Sequence, residues 1–244
     1  MNIVLSFNPV DYSERKRKSV QDEAIKAFSR VSKRVFPVAF GFRGEEPYPL
    51  LNSLGIPSLN ILRRDSKKEL GNDRSLPYIK DIFDYCSKID CDIFGYVNSD
   101  ILIGKDVIDI LNEDYDAYIF SRYEIVEIDC DSFLDSFDGE NKIKKVWGGD
   151  KHEGRDAFFF KKEWWLNNHD RFPSSLVLGD TEWDTAYRFM IMHGNKFFNQ
   201  PPSYIDKRVL YHPLHNSSWN NKSNGAINNI KIWNEIKNKI GDIK

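Results

Sequence analysis

Four stretches carry residue types that could do chemistry together. "FGYVNSDILIG" at 94–104 is an apolar run interrupted by Asn98, Ser99 and Asp100, and "RDAFFF" at 155–160 sets Asp156 ahead of an aromatic run. "GDTEWD" at 179–184 offers Asp180, Glu182 and Asp184, and "YHPLH" at 211–215 offers His212 and His215. A carboxylate at the end of a buried strand, with an amide two residues before it, suits a hard divalent cation that prefers oxygen ligands. Such a cation can bridge the two phosphates of a nucleotide. The same three letters also make a turn in which the Asp caps a helix. Imidazoles bind manganese-like ions and donate to phosphate oxygens, while loop histidines bonded to backbone are the commoner case.

Such residues need elements to position them. "NIVLSFN", "RVFPVAFGF", "PSLNILRRD" and "DIFGYVNSD" are compact apolar runs closed by polar residues, as buried parallel strands are. "DAYIFSRYEIV" and "RDAFFFKK" add two further strands. Between them, Val20, Ala24, Ala27, Phe28 and Val31 recur at helical spacing, as do Leu76, Ile79, Ile82, Phe83 and Cys86, with Ser75 as a cap ahead of Pro77. "TEWDTAYRFMIMHG" reads as a helix closed by Gly194, and "NNIKIWNEIKNKIG" as a C-terminal helix. Strands alternating with helices predict an α/β domain, a mostly parallel central sheet flanked by helices. Ligands of open α/β sheets collect beyond the carboxyl ends of the strands, which is where this pattern puts Asp100. The polar stretches 129–154 and 215–225 read as long loops, a common place for function.

Composition narrows the function. The formal charge of −2 and a pI near 6.2 over 244 residues argue against a surface built for nucleic acid. The basic run "ERKRK" at 14–18 reads as a solvated helix face, with a nucleic-acid or lipid-surface patch as its alternative. Cys86, Cys91 and Cys130 give neither a disulfide framework nor a zinc spacing, so a reducing, cytoplasmic setting is expected. No stretch reads as a secretory signal or a transmembrane segment, which leaves peripheral association as the one membrane option. "SFNPVDYSERKRKS" after the first strand has no glycine-rich phosphate loop, against a Rossmann dehydrogenase.

In their order and spacing, "NDRSLPYIKDIF", the "NSD", "HEGRDAFFFKKEWW", "LVLGDTEWDTAYRF" and "LYHPLHNSSW" resemble GT-A-type nucleotide-sugar glycosyltransferases. The relatives in question are small bacterial and viral enzymes with "NSD" or "NGD" in place of the Asp-x-Asp triad. They share a "GxDxFxF" strand, a "G-x-x-x-W-D" segment and a late "H-x-x-H" loop. The resemblance covers roughly residues 1–220 and leaves the last helix outside it.

It implies a single GT-A-like (Rossmann-like) domain over 1–244, with 1–110 as the nucleotide-sugar-binding half, 111–220 as the acceptor side and 221–244 as a C-terminal helix. It implies transfer of a sugar from a nucleoside-diphosphate sugar to a hydroxyl of a glycan or saccharide acceptor, assisted by Mn2+ or Mg2+. Asp100 would be the principal metal ligand, with Asn98, His215 and His212 as further contacts. Donor contacts would be Phe7, Asn8, Arg74, Lys80, Asn98, Ser99 and Asp100, and acceptor contacts Asp156 and Trp183. A hydroxyl nucleophile needs a carboxylate to take its proton, and Asp184 is preferred over Glu182 and Asp180. Asn98 departs from the usual first-position carboxylate and brings no negative charge. Two alternatives stay open: a metal-dependent phosphoesterase or nuclease, and a non-catalytic sugar-nucleotide-binding protein on the same fold.

Overall fold

In the computed structural model of the chain, which describes residues 1–31, 34–125, 145–146, 155–213 and 222–240, the apolar runs form one continuous sheet. Its strands are β1 (Ile3–Phe7), β2 (Val35–Phe42), β3 (Ser58–Leu62), β4 (Ile93–Val97), β5 (Leu102–Ile103), β6 (Ala117–Ile125), β7 (Lys145–Val146), β8 (Ala157–Lys161) and β9 (Tyr204–Pro213). The order is β3-β2-β1-β4-β8-β6-β9-β5, with β7 on β6. Strands β1 to β4 are mutually parallel, and β6 and β9 point the same way because each of the two steps across β8 is antiparallel. The expected mostly parallel α/β sheet is therefore present.

Helices cover both faces, and that is why the central strands β1, β4 and β8 are almost wholly apolar. Alternation along β1 sends Ile3, Leu5 and Phe7 to one face and Val4 to the other. On the first face lie α1 (Arg15–Arg30), α2 (Pro49–Leu54) and α5 (Lys105–Leu111). The opposite face packs α4 (Ile79–Cys86), α6 (Lys162–Asn168), α7 (Trp183–Met192) and α9 (Asn224–Asn238) on an aromatic core of Phe83, Phe94, Phe160, Trp165, Phe172 and Tyr187. The short helices α3 (Ser66–Leu70) and α8 (Gly194–Phe197) and a 3-10 turn at His169–Arg171 complete the described elements. Among the described residues no helix is long and apolar enough to cross a membrane.

Three local expectations are corrected. Gly194 does not end a helix by a left-handed cap; it opens α8, and its missing side chain is explained by packing, since a Cβ there would lie 2.7 Å from Pro202. Residues 76–78 are extended, not helical: Tyr78 bridges Val177, and Ser75 donates its hydroxyl to Asp65 instead of capping α4. His212, expected in a loop, sits within β9.

Gly95 shows how tight the centre of the sheet is. It pairs with Phe159, and a Cβ on it would come within 2.2 Å of that ring and 2.4 Å of the Phe158 carbonyl. Gly95→Ala is therefore expected to destabilise the protein by about 3 kcal/mol, the upper range for overpacking a core, as measured by urea unfolding.

Candidate functional site

The carboxyl ends of β1, β4, β6 and β9 and the entry to β8 all lie at one edge of the sheet, so their flanking polar residues meet there. They line a cleft of about 840 Å³, counting its open mouth, which includes Asn8, Tyr12, Arg17, Arg74, Tyr96, Asn98, Ser99, Asp100, Arg122, Trp183 and His212. An adjoining hollow shares Asn8 and Val10 and runs from the end of β2 to the first half of β3, past Phe40, Tyr48, Ser58 and Asn60.

The "NSD" is both a turn and part of a site. Ile101 N–H closes the turn on the Asn98 carbonyl at 3.1 Å. Asn98 is tied to the entry of β8 twice, its N–H donating to the Asp156 carbonyl at 3.0 Å and its side-chain amide to Asp156 Oδ1 at 3.1 Å. Ser99 donates to Gln21 Oε1 at 2.8 Å, and the same Gln21 holds both backbone groups of Val10. The loop after β1 and the "NSD" turn are thus braced by one buried amide. Asp100 is left facing His212, with its Oδ2 3.6 Å from Nε2.

His212 stands directly across from Glu124 in the parallel pairing of β9 with β6, and its Nδ1 lies 2.7 Å from Glu124 Oε2. Burial alone lowers the imidazole pKa, but the carboxylates of Asp100 and Glu124 on its two nitrogens outweigh that and push it up to about 9. Burial likewise works to raise the Glu124 carboxyl, and the bonds from His212 and Arg122 outweigh it, holding it at about 2. Arg122 donates Nε to Glu124 Oε1 at 2.8 Å and Nη1 to Asp156 Oδ1 at 2.5 Å. The result is a chain of alternating charge from Asp100 through His212, Glu124 and Arg122 to Asp156. Apart from Asp100, its side chains are no more than 11% exposed.

Sequence reasoning missed Arg122 and Glu124. The signal was present: a polar pair at i and i+2 closing an apolar strand, the pattern that singled out Asn98 and Asp100. Tyr12, Arg17 and Gln21 were missed too, because helical spacing identifies a face but not what it faces.

The structure brings Asn8, Arg74, Asn98, Ser99, Asp100, Trp183 and His212 together in the cleft. Asn8 donates to the Phe40 carbonyl at 2.7 Å, and Trp183 meets Tyr96 edge to face at the cleft floor. Asp156 is 3% exposed, and its Oδ2 has no hydrogen-bond partner among the described residues.

Three expected residues are corrected. Phe7 follows the alternation of Ile3 and Leu5, so its ring is fully buried against Phe28 under α1 and cannot touch a nucleotide. Lys80 lies outside the cleft and spends its charge on Asp84 one helical turn on, at 2.6 Å. Asp180 is structural: it accepts from Asn72 and Ser223, both at 3.0 Å, tying the start of α9 to the loop after α3. Glu182, in left-handed backbone at φ 69°, forms the turn into α7. His215 lies outside the described residues, as do the 126–144 and 147–154 stretches and Cys130.

Asp184 is half-buried in the first turn of α7 and accepts the Arg155 N–H at 2.7 Å. Burial raises its carboxyl from 3.8 to about 6, aided by the charge of Asp156 and opposed by that backbone N–H.

Among the described residues no group of three or more His, Cys, Asp or Glu is arranged to hold a metal ion. Asp100 and His212 nevertheless supply two fitting ligands, one oxygen and one nitrogen, and Glu124 on the far imidazole nitrogen is the outer partner that metal-binding histidines usually have.

No family model and no curated protein sequence matches the chain. Solved structures do. S. aureus TarS (residues 1–349) aligns over 87% of this chain and 60% of its own, at 10% identity and a TM-score of 0.48. M. tuberculosis glucosyl-3-phosphoglycerate synthase, in complex with Mg2+ and uridine diphosphate, aligns over 89% and 72%, at 9% and 0.47. The T. maritima inositol-1-phosphate CTP transferase aligns over 100% and 98%, at 12% and 0.44. With every one of these scores below 0.5, the site itself is what bears on function.

Proposed function

We propose that the chain is a glycosyltransferase that moves a sugar from a nucleoside-diphosphate sugar to a hydroxyl of a saccharide acceptor. The observation that carries this is the meeting of Asp100 with His212 across the cleft mouth. Both belong to the metal set that the resemblance to GT-A enzymes implies, in which His215 is the preferred histidine, and they lie 112 residues apart in sequence, so nothing local brings them together.

The diphosphate of the donor would lie against Asn98, Ser99, Asp100 and Arg74, and the nucleoside in the adjoining hollow beside Asn8. Asp100 and His212 would hold a divalent cation, Mn2+ or Mg2+, which when bound neutralises charge on the departing diphosphate. Glu124 would fix the imidazole so that Nε2 faces Asp100. Trp183 and Asp156 lie on the acceptor side, where an aromatic wall and a carboxylate suit a sugar face and its hydroxyls. A phosphoesterase would need several carboxylates converging on two metals. Among the described residues, the other carboxylates of the charge chain that starts at Asp100, Glu124 and Asp156, are both bonded to Arg122.

Asp184 is the preferred base for the acceptor hydroxyl. A base acts in its ionised form, and this carboxyl ionises near pH 6, so transfer should rise with pH through about 6. The stability sign is opposite. A carboxyl whose folded value is raised contributes stability that is full below its ordinary 3.8 and lost as pH climbs through about 6. Asp184→Asn should therefore keep the protein folded at pH 7 while abolishing transfer and, with it, the rising limb. The test is kcat/KM against pH, from donor-sugar transfer or donor hydrolysis, for both forms. A limb that survives in the variant would remove Asp184 from the base role.

A further inference from the structure

The basic run at 14–18 does not behave uniformly. Arg15, Lys16 and Lys18 are exposed, as a solvated helix face requires. Arg17 turns inward and lines the cleft, its guanidinium carbon 4.4 Å from the centre of the Tyr12 ring. Its Nε is buried and has no hydrogen-bond partner among the described residues.

Two guanidiniums from separate elements, Arg17 from the first turn of α1 and Arg74 from the segment joining α3 to α4, line the same cleft together with Tyr12 and Asp100. Arg74 is nearly half exposed; its Nη2 donates to the Gly179 carbonyl at 3.4 Å and lies 3.9 Å from Asp180.

A guanidinium stacked on a ring keeps its N–H fork free and fixed in direction, and such a fork suits two phosphate oxygens. Two forks suit a ligand with several negative charges. On the opposite wall Asn98 is an amide, Arg122 is bonded to both Glu124 and Asp156, and His212 lies between Asp100 and Glu124.

We propose that Arg17 and Arg74 form a two-guanidinium clamp for the diphosphate of the donor, so that the site captures a nucleoside diphosphate without a divalent cation. Tyr12 is a positioning residue that holds Arg17 flat and aimed. The clamp rests on the glycosyltransferase reading given above.

The experiment is isothermal titration of the full chain with UDP, GDP, ADP, CDP and inorganic pyrophosphate, in EDTA and again with manganese. The wild type should bind at least one nucleoside diphosphate in EDTA. Arg17→Ala should weaken that binding about 10-fold or more, Arg17→Lys should recover part of it, and neither should change the melting temperature. Tyr12→Phe keeps the ring and should bind nearly as the wild type, whereas Tyr12→Ala should fall between wild type and Arg17→Ala. Wild-type binding that needs manganese, or that Arg17→Ala leaves intact, overturns the clamp and leaves the transferase reading standing. Absence of nucleoside-diphosphate binding under both conditions overturns both.

Discussion

Asp100→Ala should lower sugar transfer at least a hundredfold while leaving the fold intact. The side chain is 21% exposed and sits at the end of a turn closed by backbone, so its loss opens no core cavity. His212 keeps Glu124 as a partner in the variant. What is lost is the carboxylate that faces Nε2 across the cleft and, with it, the anionic ligand proposed for a divalent cation. Removing one group that stabilises charge developing on a leaving diphosphate costs about 10²-fold or more, roughly 2.7 kcal/mol of barrier. Turnover should be read beside titration with nucleoside diphosphates, with and without manganese. Metal-enhanced binding that disappears in Asp100→Ala would establish the donor site. Turnover unchanged in the variant would sink the metal assignment and leave "NSD" a turn.

Arg122→Ala should have the largest effect on stability. Arg122 bonds two carboxylates, Glu124 and Asp156, and the three side chains are 10%, 11% and 4% exposed. Burial opposes its charge, yet Asp156 and Glu124 together raise its pKa further, so the guanidinium remains ionised. Removing it leaves the buried Asp156 carboxylate without a cation, while Glu124 keeps His212 at 2.7 Å, and the loss is about 3–5 kcal/mol. Asp156 would then ionise less readily than in the unfolded chain, so the deficit of the variant relative to wild type should narrow as pH falls towards 4. Urea unfolding of both forms at pH 4.5 and pH 7.5 tests this. A difference below about 1 kcal/mol at pH 7.5 would mean that water already screens the network.

Much of the scaffold was legible in the chain. The runs that became β1, β2, β3, β4, β6 and β8 are continuous and apolar because both faces of the sheet are covered, a property each strand carries locally. The turn at "NSD" and the placing of Asp100 beyond a strand end followed from the same patterns and the rule for open α/β sheets. Even the error at Phe7 was readable, since it shares parity with Ile3 and Leu5 and so must go under α1 with them.

The rest depended on which strand lies beside which. Strand β9 escaped notice because its first half, "YIDKRV", has no long apolar run, yet its pairing with β6 sets His212 opposite Glu124. Nothing local to 122–124 says that a histidine will stand there, or that Asp156 will arrive from β8 to meet Arg122. The pair of Lys80 with Asp84 is one of two readings of that lysine because the two stand one helical turn apart, whereas the partners of Asp180, Asn72 and Ser223, come from distant segments and are invisible until loops are placed. Arg17 looked like its exposed neighbours for the same reason. The sequence by itself determined the alternation of strands and helices, their apolar faces and the turn that ends β4, because these depend on neighbours within a few residues. Only the tertiary structure decided which charges meet, because burial makes their pairing obligatory and sheet order chooses the pairs.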